Sequence, residues 1–88
     1  MSHYKLIKEI IRTCNYFRII NPDEDYFYLE KKFIDGLEDI SFVENLLTVL
    51  YQKMKLKKFQ NTLNKDRLKN LLIELEKIRL DLEFKGGE

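Results

Sequence analysis

Apolar residues recur three and four positions apart along nearly the whole chain, and strict alternation of apolar and polar residues is almost absent. Spacings of three and four place side chains on one face of an α-helix, whereas a half-buried strand requires alternation. The pattern therefore predicts an all-α fold in which each helix turns one apolar face towards a shared core.

Two capping boxes divide this periodic pattern into helices. Residues 21–24, Asn-Pro-Asp-Glu, combine a capping side chain with proline at the first helical position, and residues 41–44, Ser-Phe-Val-Glu, repeat the box. The boxes predict helix starts near Pro22 and Phe42.

A weaker boundary separates the last two helices, where Thr62 or Asn64 can act as a cap. Four helices of roughly 17 to 20 residues, joined by short loops, predict a small antiparallel four-helix bundle. A three-helix bundle is the alternative if the helical pattern continues through the weak boundary. In either case we expect a single domain over residues 1–85, with a flexible tail at 86–88.

The last helix has the clearest core seam, with leucine or isoleucine at alternating spacings of three and four. Leu75 lies at the centre of this seam and is predicted to be buried. Glu30 falls inside the apolar face of the second helix, where it is either a buried carboxylate or a side chain that reaches water at the end of the bundle. The seam comprises Leu68, Leu71, Leu75, Ile78 and Leu82.

The chain has one cysteine, one histidine and three glycines. One cysteine cannot form an internal disulfide, which fits a reducing, cytoplasmic location. Cys14 has no partner histidine to activate it, and His3 has no metal-ligating neighbour at a suitable spacing. A glycine-rich phosphate loop is also absent. The sequence therefore predicts a protein that is not an enzyme and has no metal or cofactor.

Charge is segregated along the chain, although the formal net charge is +1. Residues 23–48 hold eight acidic against two basic residues, and residues 49–70 hold seven basic against one acidic residue. Either these segments neutralise each other across the bundle, or the basic region binds the phosphates of a nucleic acid. The basic-patch candidates are Lys53, Lys55, Lys57, Lys58, Lys65, Arg67 and Lys69.

The last two helices each carry apolar residues outside their main face. On the third helix the apolar stripe shifts by about half a turn after Met54, which predicts that the helix ends or bends near Lys55 unless another chain covers the second face. We expect internal packing for Phe59 and contact with another chain for the second stripe of the last helix. The partner-binding candidates are Leu56, Phe59, Leu63, Ile73, Leu80 and Phe84.

These features favour a non-catalytic protein–protein interaction module, such as a regulator, an inhibitor or an immunity-type protein. A nucleic-acid-binding regulator is the alternative, and the last seam would also serve a homodimer. We expect no transmembrane segment. The composition, rich in residues with AT-rich codons, suggests a bacterial or mobile-element origin. In size and helical order the chain resembles small cytoplasmic four-helix immunity proteins of bacteriocin producers, and this architectural resemblance implies action by binding another protein.

Overall fold

The computed structural model describes residues 4–21, 23–56 and 62–86, with the backbone alone for 62–64 and 86. These ranges contain four α-helices and no strand, so the all-α four-helix prediction is confirmed and the three-helix alternative is wrong. Within them, none of the helices is both long and apolar enough to cross a membrane. The helices are α1 (Tyr4–Tyr16), α2 (Tyr26–Gly36), α3 (Ile40–Met54) and α4 (Thr62–Gly86).

The helices form a ring in which each one packs against its neighbours in sequence and α4 closes the ring on α1. The start of α1 lies beside the end of α4, where Tyr4 and Lys85 line the same groove. The end of α1 lies beside the start of α4, where Tyr16 and Leu68 meet. The helices therefore run antiparallel, and α2 and α4 occupy diagonal corners.

The core draws side chains from all four helices. Leu75 is completely buried, as its central position in the last seam predicts. Within the described part of the chain no charged side chain is buried. The other buried apolar residues are Ile7, Ile10, Ile11 and Cys14 from α1, Leu29 and Phe33 from α2, Leu37 between α2 and α3, Val43, Leu46, Leu47 and Leu50 from α3, and Leu68, Leu71 and Leu72 from α4.

The first capping prediction, which places a helix start near Pro22, is wrong. The Asn21 side chain instead accepts a hydrogen bond of 3.0 Å from the backbone N–H two positions on, which forms a tight turn. The helix begins at Tyr26, because Asp25 has the extended backbone of an N-cap and its carboxylate accepts a hydrogen bond from a backbone N–H.

The second capping prediction places the start of α3 two residues too late. Asp39 is the N-cap, and its carboxylate accepts a hydrogen bond of 3.0 Å from the N–H of Ser41. The helix therefore begins at Ile40 rather than near Phe42. Asp39 and Ser41 are both strong capping residues, and the extended backbone of Asp39 decides between them.

The sequence predicts the end of α3 but not the end of α1. Arg18 ends α1 with φ of 57°, and the N–H of Ile19 donates to the Cys14 carbonyl at 2.8 Å. This is a Schellman motif with arginine where glycine is usual, so the sequence carries no signal for it. The predicted break near Lys55 is confirmed, since α3 ends at Met54 with Lys55 as its C-cap.

The helices also differ in length more than expected. Helices α1 and α2 have 13 and 11 residues, whereas α4 has 25. At a rise of 1.5 Å per residue α4 is about 37 Å long, roughly twice the length of α1. In the C-terminal half of α4 the inward residues Ile78 and Leu82 are only partly buried.

Gly36 permits the close approach of α2 and the start of α3. A Cβ atom at this position would lie 2.5 Å from two ring atoms of Phe42. The Phe42 ring is itself held edge-on against Phe33, with 5.7 Å between the ring centroids. The glycine is therefore needed for packing, although the sequence alone suggests only that it weakens its helix.

Replacing Gly36 with alanine is expected to lower the free energy of unfolding by roughly 1–3 kcal/mol, because the added methyl group overlaps the Phe42 ring. Urea denaturation of both proteins measures the difference. Helix propensity alone predicts the opposite sign, a gain of up to about 1 kcal/mol. The double variant Gly36→Ala, Phe42→Leu should be more stable than the sum of the two single changes implies, and strict additivity would contradict the proposed overlap.

Candidate binding surfaces

Three of the predicted partner-binding residues form a stripe on α4. Ile73, Leu80 and Phe84 are 53%, 56% and 79% exposed. Their spacings of seven and four place them on one helical face, opposite the buried seam that contains Leu75. The stripe runs for about 17 Å along the helix. These three residues are called the outer stripe below.

Of the remaining three candidates, only Leu56 has a side chain within the described residues. Leu56 follows the end of α3 and is 47% exposed. Phe59 and the side chain of Leu63 lie outside the described residues. The expected internal packing of Phe59 therefore stays a prediction.

Paired charges border the outer stripe on the side that faces α3. Arg79 donates hydrogen bonds to Glu76 at 2.9 Å and to Glu83 at 2.7 Å. The hydroxyl of Tyr51 on α3 donates to Glu76 at 3.3 Å. Partial burial raises the pKa of Tyr51, and the neighbouring Glu76 carboxylate raises it further, so the hydroxyl remains a donor at neutral pH. The charged groups on this flank of α4 are therefore already paired within the chain.

A second surface, which the sequence did not predict, is a groove of about 600 Å³ between the diagonal helices α2 and α4. Buried side chains of Ile7 and Leu37 form its floor. It lies at the end of the bundle where α1 begins and α4 ends, and we call it the α2–α4 groove. Its other lining residues are Tyr4 from α1, Glu30 and Ile34 from α2, Glu38 after α2, and Ile78, Asp81, Leu82 and Lys85 from α4.

Glu30 lies on the wall of this groove and is half-buried. Of the two alternatives raised by its position in the apolar face of α2, the structure supports a side chain that reaches water and not a buried ion pair. Sequence periodicity places Glu30 and Ile34 near the core, but it cannot show that α4, which forms the opposite wall, is separated from α2 at this position. That gap follows from the diagonal placement of α2 and α4.

Five of the seven basic candidates have side chains within the described residues. Arg67 is engaged by Glu9, to which its Nε and Nη2 atoms both donate at 3.2 Å. Lys55 and Lys69 are exposed and Lys53 and Lys65 are half-buried, while Lys57 and Lys58 lie outside the described residues.

The expected neutralisation between residues 23–48 and 49–70 is also not observed as ion pairs. Within the described ranges, no ion pair joins these two segments, and Arg67 pairs with Glu9 of α1 instead. The described charged residues of these two segments are therefore not paired with each other.

The single thiol is buried in the core. Cys14 has no exposed surface, and burial raises the pKa of its thiol from 9.0 to about 11, against the smaller opposing effect of the Lys32 charge. The thiol is therefore protonated at neutral pH and is out of reach of a substrate. No group of three His, Cys, Asp or Glu residues that could hold a metal ion occurs in the described part of the chain.

Two surfaces thus combine exposed apolar side chains with a defined shape: the outer stripe and the α2–α4 groove. Both depend on α4, which has apolar residues on opposite sides. The chain matches no protein-family model, no curated protein and no solved structure.

Proposed function

We propose that this chain is a non-catalytic protein-binding module, of the regulator, inhibitor or immunity type, that binds a partner protein through the outer stripe. The observation that carries the proposal is the exposure of Ile73, Leu80 and Phe84 in one row on a single helical face. Large apolar side chains grouped on one exposed face are a feature of protein interaction sites, whereas exposed apolar residues that are scattered singly are common on any protein surface.

The dimensions of the outer stripe fit a single helix of a partner protein. Stable interfaces bury about 800 Å² on each partner and involve roughly 20–30 residues a side. The outer stripe offers three large side chains over about 17 Å, which matches the contact line of two crossing helices. Because Arg79 is already paired with Glu76 and Glu83, a partner helix can pack beside this flank without leaving a buried charge unpaired.

A nucleic-acid-binding regulator remains the alternative, but its support is weaker. Arg67, one of the seven basic candidates, is bound by Glu9. Phosphate binding would also have to act against the acidic residues of 23–48, which the described ion pairs do not neutralise. The two functions differ in salt dependence, since phosphate contacts release counterions and give a steep loss of affinity with added salt.

Replacing Leu80 with aspartate is expected to weaken partner binding at least about tenfold, which corresponds to about 1.4 kcal/mol. A charge at the centre of the outer stripe would have to be desolvated on binding. The partner is first recovered by affinity capture from cells that produce the protein, with nucleases present, and its affinity is then measured with both purified proteins by calorimetry.

The matched control is Tyr28→Asp, which places the same charge at a position on α2 that is 58% exposed, against 56% for Leu80. Both variants should keep their helicity and stay within about 0.5 kcal/mol of the parent in unfolding free energy. Equal loss of partner binding by the two variants would refute the assignment to α4. Loss of all captured material on nuclease treatment would favour the nucleic-acid alternative.

A further inference from the structure

We infer that the α2–α4 groove is a second binding site, which takes a short, basic, amphipathic helix of another protein. This site is separate from the outer stripe, because its lining residues on α4 are Ile78, Asp81, Leu82 and Lys85, which face a different side of the helix.

The groove has the form that a bound helix needs. Its floor is buried and apolar, from Ile7 and Leu37, and its walls present Ile34 on one side and Ile78 and Leu82 on the other. Ile34 is 52% exposed, so one wall is open to an incoming side chain. Apolar residues that recur at three- and four-residue spacings on a partner helix would fit between these walls.

The length of the groove sets the length of its occupant. Along α2 the lining comprises Glu30 and Ile34, and it continues through Leu37 and Glu38 after the helix, while along α4 it runs from Ile78 to Lys85. The row on α4 corresponds to about 10 Å of helix, or roughly two turns. A segment of about eight to twelve residues therefore spans the groove, with two or three apolar anchors facing its floor.

The charge around the groove selects a basic occupant. Glu30, Glu38 and Asp81 contribute three carboxylates and Lys85 one ammonium group. Within the described part of the chain, none of these three carboxylates accepts a hydrogen bond or joins an ion pair. On the opposite flank of α4, by contrast, Glu76 and Glu83 both form ion pairs with Arg79. Unpaired carboxylates beside an apolar groove complement lysine or arginine on the polar face of a partner helix.

The probe for this site is a synthetic peptide of about twelve residues, with leucines spaced three and four apart and lysine at most other positions. Two further peptides separate shape from charge: one with the same composition in scrambled order, and one with glutamate in place of lysine. Calorimetric titration should show affinity at least about tenfold higher for the amphipathic basic peptide than for either control peptide. Equal affinity for the basic amphipathic and scrambled peptides would overturn the inference, because it would show attraction by charge alone.

Variants of the chain locate the binding. The double variant Glu38→Lys, Asp81→Lys should bind the amphipathic peptide at least about tenfold more weakly, and this affinity should depend less on salt. The matched control is Asp35→Lys, an exposed position on α2 that does not line the groove, and it should stay within about twofold of the parent. A similar loss in the double variant and in Asp35→Lys would place the peptide elsewhere and overturn the inference.

Two further measurements distinguish peptide binding in the groove from binding at the outer stripe and from self-association. Leu80→Asp should leave peptide affinity unchanged, and an equal loss there would assign the peptide to the outer stripe instead. Sedimentation of the parent chain without peptide should show a monomer. A dimer that dissociates in the Glu38→Lys, Asp81→Lys variant would show that a second copy fills the groove, which would also overturn the inference.

Discussion

Replacing Leu75 with alanine is expected to lower the free energy of unfolding by roughly 3 kcal/mol. Leu75 has no exposed surface and lies at the centre of the α4 seam. Its truncation removes buried apolar area and leaves a cavity between helices that can close only in part. Small domains have about 5–15 kcal/mol of stability in all, so a large fraction would be lost. Urea denaturation followed by circular dichroism measures the change.

Leu80→Ala is the matched control, because it is the same substitution on the opposite face of the same helix. Leu80 is 56% exposed, and its truncation should change the unfolding free energy by less than about 0.5 kcal/mol. The ratio of the two effects therefore reports which face of α4 meets the core. Comparable losses from both variants would mean that the outer stripe is covered within the chain, and this would remove the main support for the proposed function.

The buried face of each helix could be predicted from the sequence, because helical periodicity records which side meets the core. Leu68, Leu71 and Leu75 of the predicted α4 seam are all buried. The end of α3 at Met54 was equally predictable, since the apolar stripe changes face there and a straight helix cannot turn both faces to one core.

Helix starts were predicted less well, because several capping residues lie close together in this chain. Asn21 and Asp25 both precede the first residue of α2, and Asp39 and Ser41 both lie near the start of α3. Backbone conformation chooses between such candidates, and a sequence pattern does not contain it. The turn that terminates α1 has no sequence signal, since the left-handed backbone that Arg18 adopts there is usually adopted by glycine.

The outer stripe was predictable and the α2–α4 groove was not, for related reasons. The outer stripe is a property of one helix, so the positions of Ile73, Leu80 and Phe84 in the sequence are enough to place them on a shared face. The groove depends on the diagonal placement of two helices, α2 and α4. Ile34 and Leu82 are far apart in sequence, and only the packed bundle shows that they form opposite walls.

Raising the pH from about 9 to about 11 is expected to destabilise the protein through Cys14. Burial raises the pKa of this thiol from 9.0 to about 11. The unfolded chain therefore releases the thiol proton at lower pH than the folded chain, so the unfolded state binds fewer protons in this window and stability falls as pH rises. A difference of two pKa units corresponds to a loss of roughly 3 kcal/mol once the pH exceeds the folded pKa.

Cys14→Ala isolates this contribution from the other groups that titrate at alkaline pH. Tyrosines and lysines, including Lys32 beside the thiol, are shared by both proteins, so their effects cancel in the difference. The alanine variant should be less stable than the parent at neutral pH by roughly 1 kcal/mol, because it leaves a small cavity. That gap should close and then reverse between pH 9 and pH 11. Two curves that stay parallel across this range would show that the thiol ionises equally well in the folded protein. The same burial predicts that a thiol reagent labels Cys14 at neutral pH only when the bundle opens, so the labelling rate should rise in Leu75→Ala by about tenfold for each 1.4 kcal/mol of lost stability.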